Sequence, residues 1–284
     1  IKNLNTDWND ITDCLPIDRA IPQQVSYDFK EVPSYTLAEA TENGWIWQIP
    51  IGNRYGTGYL YSSKFTSDEE AKEKYNDWLV KRFGVELKTD RVIQYKPGYY
   101  DQAWVGNCLA VGLSSGFVEP LESTGIHIIV KQVYDFISLN SNLNFLEYNR
   151  KKFNEINLRS YKVIVDFICL HYNTNRTDSD FWNYMTENKT EWVRDFDEKC
   201  RYEFLDAQNL GNNSTRFVWP LDSFIQVANG LNMFDKKRIK EYLDSKREKQ
   251  QILDFAKENY EYTQLKKSEN KRVSHKEIID SIHK

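Results

Sequence analysis

The sequence predicts an α+β fold, in which an antiparallel or mixed sheet is followed by a mainly helical C-terminal region. Two patterns support this fold class. Ser34–Phe65 is rich in aromatic and β-branched residues and is interrupted by a turn-like stretch, Gly52–Gly56, as in a hairpin. From Phe145 onward apolar residues recur at helical spacing, most clearly over Phe153–Tyr172. The 284 residues are 40% hydrophobic, which is enough for a sizeable core.

The elements of the first half can be predicted in order. The hairpin strands are expected at Ile46–Ile51 and Tyr59–Phe65. Hydroxyl side chains followed by acids then predict a helix over Thr66–Phe83. Arg91–Tyr95 is interpreted as a short strand, and the apolar run Trp104–Leu113 as a buried strand that enters a turn.

The segment Phe117–His127 reads FVEPLESTGIH and leads into an apolar helix. The backbone N–H groups at a helix N-terminus lack partners within the helix, so this position favours an anion. From the residue pattern alone, Glu122 is as easily a first-turn acid, Ser123 and Thr124 ordinary N-caps, and Gly125 an ordinary turn residue.

The organisation of the chain predicts three parts. Residues 1–130 form a sheet-containing region, residues 131–235 a helical region, and residues 236–284 a charged tail of one or two exposed helices. The sequence contains no internal repeat and no linker rich in Pro, Gly or Ser.

Composition excludes several classes of function. The net charge is −4, with Lys and Arg spread among more numerous acids, so nucleic-acid binding is not expected. The four cysteines lack the spacing of a zinc site or a disulfide framework, and no metal site is predicted. No apolar run is long enough to span a bilayer and no signal peptide is recognised, which predicts a cytoplasmic protein without membrane contact.

Two unusual motifs carry a family resemblance. Gly44–Pro50 reads GWIWQIP, and Glu119–Thr124 reads EPLEST. Together they resemble the signatures of the flavin-dependent halogenases of the tryptophan halogenase family, and the likeness extends over roughly residues 10 to 235. The resemblance implies a flavin-monooxygenase-like fold and an enzyme that uses reduced FAD, O₂ and chloride or bromide. It also implies a transient flavin reductase partner that supplies the reduced FAD, and a small electron-rich aromatic substrate such as tryptophan or another indole, a pyrrole or a phenol.

The resemblance also assigns expected roles. Glu122 is the expected catalytic residue, which assists the halogenating species and accepts the proton lost from the aromatic ring. Thr124 and Gly125 are expected to bind halide. Gly106, Asn107 and Ser123 are expected to contact the flavin. Trp45 and Trp47 are expected to act as a gate that keeps the substrate away from the flavin.

The residue pattern alone gives the two tryptophans a simpler interpretation. Trp45 and Trp47 alternate with Ile46, so on a strand they share one face, and such a pair is usually part of a core. His127 and His171 are assigned no catalytic role. The substrate pocket is expected in the helical region, with its lining drawn from residues that include Tyr184, Trp192 and Phe196.

Two expected family features are missing. Gly56-Thr57-Gly58 is the nearest approach to a Gly-x-Gly-x-x-Gly fingerprint, and it lacks the third glycine. No lysine stands in the motif context of the family's essential lysine. The chain is therefore expected to be the C-terminal part of a longer enzyme, with an incomplete dinucleotide-binding half, and to be inactive alone. An FAD-dependent aromatic hydroxylase of the same scaffold and a non-catalytic truncated remnant stay open as alternatives, as do the substrate and the oligomeric state.

Overall fold

The structure is a computed structural model that describes residues 6–26, 33–142, 145–202 and 221–269. The strands are β1 (Trp8–Asp10), β2 (Arg19–Ser26), β3 (Leu37–Ala40), β4 (Gly44–Ile51), β5 (Arg54–Tyr61), β6 (Ile93–Gln94), β7 (Gly98–Tyr100), β8 (Trp104–Val105), β9 (Cys108–Leu109) and β10 (Gly116–Phe117). The helices are α1 (Asp68–Phe83), α2 (Thr124–Leu139), α3 (Glu147–His171), α4 (Asp180–Glu187), α5 (Glu191–Tyr202), α6 (Leu221–Gly230), α7 (Lys236–Ser245) and α8 (Lys249–Glu269). The predicted α+β fold with a helical C-terminal region is confirmed.

The main sheet has five strands in the order β3-β4-β5-β2-β6, and all the strand pairs within it are antiparallel. The predicted hairpin is present, but its turn is shorter than Gly52–Gly56. Ile51 already pairs with Arg54, because Gly52 adopts a φ of 53° and lets two residues reverse the chain. The second strand of the hairpin runs from Arg54 to Tyr61, where its pairing with β4 ends, and it does not reach Phe65.

One face of this sheet is covered by α1. Tyr59 and Tyr61 of β5 pack there against Tyr75 and Leu79, which lie one turn apart on the helix. The helix begins as predicted, since Ser67 forms a capping box with Glu70 in which each side chain accepts from the other residue's backbone N–H.

The opposite face of the sheet packs against the helical region. Trp45 of β4 and Leu60 of β5 belong to the same buried cluster as Ile164 and Phe167 of α3. Polar contacts tie α4 to the turn that precedes β4. The indole Nε1 of Trp182 donates to the Thr41 carbonyl oxygen at 2.7 Å, and the Ser179 hydroxyl donates to the Glu42 carbonyl oxygen at the same distance.

The segment Trp104–Leu113 is not the single buried strand that its apolar sequence predicts. It forms the small hairpin β8–β9, and its turn is Gly106–Asn107, where Gly106 has a φ of 57°. Leu113 is 77% exposed. A left-handed glycine reverses the chain here after two residues, which no pattern of apolar residues reveals. The predicted strand Arg91–Tyr95 is also shorter, because only the β6 residues pair with a neighbouring strand.

The three-part division of the chain stays a prediction. The boundary at residue 130 lies inside α2, and the main core cluster joins Ile17 of the first part to Phe196 of the second. The described residues of the charged tail form α7 and α8, whereas residues 203–220 and 270–284 lie outside the described residues. Of the described helices, none combines the length and the hydropathy that crossing a bilayer requires.

Candidate functional site

The EPLEST segment forms a tight loop between β10 and α2, and its backbone is strained. Glu122 (φ 59°, ψ 20°) and Ser123 (φ 55°, ψ 28°) both adopt the left-handed conformation. This conformation costs a non-glycine residue roughly 1–2 kcal/mol. Two consecutive residues of this kind therefore need tertiary contacts to hold them, and strained backbone of this kind clusters at functional sites.

Ser123 is not the ordinary N-cap that the residue pattern alone offered as an alternative to a flavin contact. A capping residue normally has an extended backbone, whereas Ser123 is left-handed and its side chain makes no cap hydrogen bond. Thr124 instead ties the loop together, because its hydroxyl donates to the Glu119 carbonyl oxygen at 2.8 Å. The helix therefore starts without a side-chain cap from Ser123 on its first-turn N–H groups.

The Glu122 side chain meets His171 at the end of α3. Glu122 Oε1 lies 3.5 Å from His171 Nε2, with the two side chains 49% and 19% exposed. The hydrogen bond from His171 lowers the pKa of Glu122, with burial opposing it. His171 received no role from the sequence, because nothing in the spacing of the two residues indicates that α3 ends beside the loop.

Glu119, the first acid of the same motif, is buried beneath the loop. Its side chain is 1% exposed, and Tyr172 donates its hydroxyl hydrogen to Glu119 Oε1 at 2.8 Å. Burial raises the pKa of Glu119 from 4.5 to about 8, with the Tyr172 hydroxyl and the Trp45 indole opposing the rise. Glu119 is therefore a neutral carboxylic acid at pH 7. Its position between the apolar residues Val118 and Pro120 is the sequence signal that could have indicated its burial.

A cleft of about 370 Å³ opens beside the first turn of α2. Its lining is almost wholly apolar and consists of Ile49, Gly112, Leu113, Gly116, Phe117, Val118, Pro120, Ser123, Thr124, Gly125, Ile126, Ile128, Ile129, Tyr161 and Ile164. A Cβ atom added to Gly125 would meet no atom within 4 Å, so the backbone is openly accessible there. Three of the residues expected to bind halide or flavin, Ser123, Thr124 and Gly125, thus lie together at one edge of the cleft.

The other expected site residues lie elsewhere. Gly106 and Asn107 form the exposed turn of β8–β9 and do not line the cleft. Trp45 and Trp47 share one face of β4 as predicted, with ring centroids 6.3 Å apart. Gly58 on the neighbouring strand makes room for Trp47, because a Cβ there would overlap the indole ring.

The aromatic residues expected to line a substrate pocket do not line this cleft, and their role in a pocket stays a prediction. Phe196 is 1% exposed and stacks on Trp192 with ring centroids 4.8 Å apart. Tyr184 packs on Phe65 and receives the Lys64 ammonium group over its ring. Among the described residues of the predicted helical region, 131–235, those that line the cleft are Tyr161 and Ile164 of α3.

The arrangement fits a flat aromatic group and an anion. An apolar cleft suits an aromatic ring system, and the open backbone at a helix N-terminus suits a weakly hydrated anion. Within the described residues, no group of three or more His, Cys, Asp or Glu side chains is placed to hold a metal ion. The residues present therefore fit the flavin ring and the halide that the sequence motifs imply.

Comparisons of sequence with known proteins all point to one protein family. The profile of the tryptophan halogenase family matches residues 1–264. Tryptophan 7-halogenase RebH of Lentzea aerocolonigenes is 35% identical over 184 residues, which are 64% of this chain and 34% of that protein. Tryptophan 6-halogenase SttH of Streptomyces toxytricini is 34% identical over 205 residues, which are 70% of this chain and 38% of that protein. The match thus spans well under half the length of these relatives.

Comparisons of structure agree. The crystal structure of a tryptophan halogenase from Shewanella frigidimarina matches with a TM-score of 0.83 and 25% identity, over 97% of this chain and 52% of that chain. The crystal structure of SttH matches with a TM-score of 0.72 and 30% identity, over 80% of this chain and 46% of that chain. The chain spans about half the length of these solved relatives.

Proposed function

The chain belongs to the tryptophan halogenase family, and from this premise we propose that the protein is a flavin-dependent halogenase of an electron-rich aromatic compound. One observation carries the proposal. The carboxylate of Glu122 is held beside His171 at the start of α2, and the cleft edge formed by Thr124 and Gly125 follows directly in the chain. The proposed proton acceptor and the proposed anion site are thus neighbours in the chain.

The cofactors and partners belong to the same proposal. Reduced FAD and O₂ supply, when bound, the oxidation that makes a halide electrophilic. Thr124 and Gly125 would hold chloride or bromide, and Ser123 would contact the flavin at the edge of the cleft. Gly106 and Asn107, which lie outside the cleft, would contact the ribityl chain of the flavin. A separate reductase would supply the reduced FAD in the cytoplasm, and the fold would be of the flavin-monooxygenase type.

The proposed work of Glu122 is proton transfer. Attack of an electrophilic halogen on an aromatic ring leaves a cationic intermediate, which becomes the product only after it loses a proton. Because His171 lowers the pKa of Glu122, the side chain is an ionised carboxylate at neutral pH and can accept that proton. Trp45 and Trp47 would act as a wall that separates the substrate from the flavin.

The test is the substitution Glu122→Gln in the complete gene product. The assay supplies FAD, a flavin reductase with its nicotinamide, O₂, chloride or bromide, and a panel of indoles, pyrroles and phenols. Mass spectrometry detects the isotope pattern of the halogenated product. We expect Glu122→Gln to lower the yield by roughly 10²-fold or more, the usual contribution of a general base, while oxidation of reduced FAD continues at the wild-type rate.

Glu73→Gln is the matched control, since Glu73 is an exposed acid on α1 that does not line the cleft. An unchanged product yield in Glu122→Gln would remove Glu122 from this role. A hydroxylated product that forms without any dependence on halide would indicate an FAD-dependent hydroxylase instead.

A further inference from the structure

The hydrogen bonds of His171 fix where its ring can carry a proton. His171 Nδ1 lies 2.8 Å from the carbonyl oxygen of Phe167. A carbonyl oxygen can only accept, so the hydrogen of the neutral ring is on Nδ1. Nε2 then carries a lone pair, and it is this atom that faces Glu122 Oε1 at 3.5 Å.

One proton between the two side chains stabilises this contact, and the pair without a proton is ready to accept one. A lone pair on Nε2 and an ionised carboxylate repel each other, whereas a proton on either partner turns the contact into a hydrogen bond. The pair can therefore exist as a carboxylic acid beside a neutral imidazole, or as a carboxylate beside an imidazolium. The two forms differ only in the position of a single hydrogen.

His171 is held more firmly than Glu122. It ends α3, and its ring packs edge-on against the buried Phe167 with centroids 4.9 Å apart. The C-terminus of a helix favours a cation, which suits an imidazolium at this position. Glu122, by contrast, lies in a strained loop, so the contact with His171 orients the carboxylate.

The other titratable groups near His171 are neutral at pH 7, so Glu122 is the group that can exchange a proton with this ring. Next to His171 in the chain, Tyr172 is buried and its pKa is raised well above its usual range. Cys169 is likewise held neutral by burial, and Glu119 keeps its proton at pH 7. Among the described residues, Glu122 is the charged side chain in contact with His171.

From this geometry we infer that His171 is a positioning residue that also receives from Glu122 the proton taken from the substrate, an inference that rests on the proposed function. The relay starts from ionised Glu122 beside neutral His171, the state in which the pair carries no proton. In the first step the carbon–hydrogen bond of the substrate ring breaks, its electron pair restores the aromatic ring, and an O–H bond forms on Glu122. In the second step that O–H bond breaks as an N–H bond forms on Nε2. The carboxylate is thereby regenerated beside an imidazolium, which releases its proton to water.

One arm of the test does not depend on activity. In the 284-residue chain, NMR of the histidine ring nitrogens reports the tautomer of His171, and we expect the hydrogen on Nδ1. The carboxyl ¹³C shift of Glu122 reports its pKa, which should rise towards the ordinary value in His171→Ala. A hydrogen on Nε2, or a Glu122 pKa that is unaffected by the substitution, would overturn the inference.

The second arm measures halogenation by the complete gene product. We expect His171→Ala to lower the rate at least about tenfold without changing the rate of flavin oxidation. Imidazole added to the buffer should restore part of that rate, because it can occupy the vacated space and accept the proton. His171→Gln keeps a hydrogen-bonding side chain but cannot carry the proton, so it should be slow and insensitive to imidazole.

His127→Ala, on α2, is the control for general effects of imidazole. A wild-type rate in His171→Gln, or no response of His171→Ala to imidazole, would show that proton transfer to this ring is not needed. If the wild-type protein itself formed no halogenated product, the proposed function would fail, and the NMR arm would still decide whether the pair shares a proton. Circular dichroism of each variant establishes that it is folded.

Discussion

At the scale of single residues, Glu119 of the EPLEST motif contacts the GWIWQIP motif in the protein interior. Its carboxyl accepts from the Tyr172 hydroxyl at the end of α3, and the Trp45 indole of β4 also approaches it. Its backbone carbonyl accepts from Thr124 at the start of α2. A buried carboxyl makes these contacts without the cost of a buried charge only while it keeps its proton.

We predict that Glu119 makes the stability of the protein depend on pH. In the folded state this carboxyl keeps its proton up to about pH 8, whereas its ordinary pKa is 4.5. Between these values folding takes up a proton, so the free energy of unfolding falls as the pH rises. The slope is at most about 1.4 kcal/mol per pH unit for one proton. Above the raised pKa the decline stops.

The substitution Glu119→Gln tests this prediction, because glutamine is neutral at every pH and similar in shape. Urea denaturation from mildly acidic to mildly alkaline pH should give a flatter profile for Glu119→Gln than for the wild type. Glu73→Gln, which changes an exposed acid, should keep the wild-type slope. Equal slopes in wild type and Glu119→Gln would mean that Glu119 is already ionised when folded.

At the scale of elements, one buried amide links α2 to two neighbouring parts of the molecule. Gln132 Oε1 accepts from the Gly112 backbone N–H at 2.8 Å. Its Nε2 donates to Ser115 Oγ and to Asn157 Oδ1, each at 2.8 Å. The side chain therefore joins α2 to the loop that lines the cleft and to α3, and it holds the helix that carries Thr124.

We expect Gln132→Leu to destabilise the protein by roughly 2–4 kcal/mol, because leucine fills the space but leaves several buried polar groups without partners at about 1–3 kcal/mol each. Gln132→Glu is the paired variant, since it keeps the acceptor for Gly112 and loses the donor. It should unfold at an intermediate urea concentration at acidic pH. A loss below about 0.5 kcal/mol in Gln132→Leu would mean that water replaces the amide.

The sequence predicts elements well where the signal is local. Ser67 and Glu70 indicate the start of α1 because a capping box involves residues three apart. The hairpin at Gly106 was missed, since an apolar run does not reveal a left-handed turn. The contact of Glu122 with His171 depends on how α3 packs, and no sequence spacing encodes that. Local chemistry is thus predictable for this chain, whereas the pairing of distant side chains is not.

At the scale of the whole molecule, exposed large apolar side chains of the described residues gather on two helices, α2 and α8. The inward face of α2 buries Thr124, Ile128 and Gln132, which are spaced by four residues. Six apolar residues of α2 lie on the outward face and are 42% to 69% exposed: Ile126, Ile129, Val130, Val133, Tyr134 and Ile137. A helix that is apolar on both faces is usually buried on both. This outward face is continuous with the cleft, because Ile126 and Ile129 also line it.

We predict that this outward face of α2, which continues into the cleft, accounts for a large part of the binding of the dye 8-anilinonaphthalene-1-sulfonate by the 284-residue chain, since the dye reports exposed apolar surface. The double substitution Val130→Lys and Val133→Lys should lower dye fluorescence at least about twofold and leave the thermal unfolding midpoint nearly unchanged, because surface substitutions usually alter stability by about 0.5 kcal/mol or less. The control is Glu73→Lys, which changes an exposed charge on α1. Fluorescence that persists in the double variant would assign the dye to other apolar surface, whereas a large drop in the unfolding midpoint would mean that the outward face contributes to the folded core.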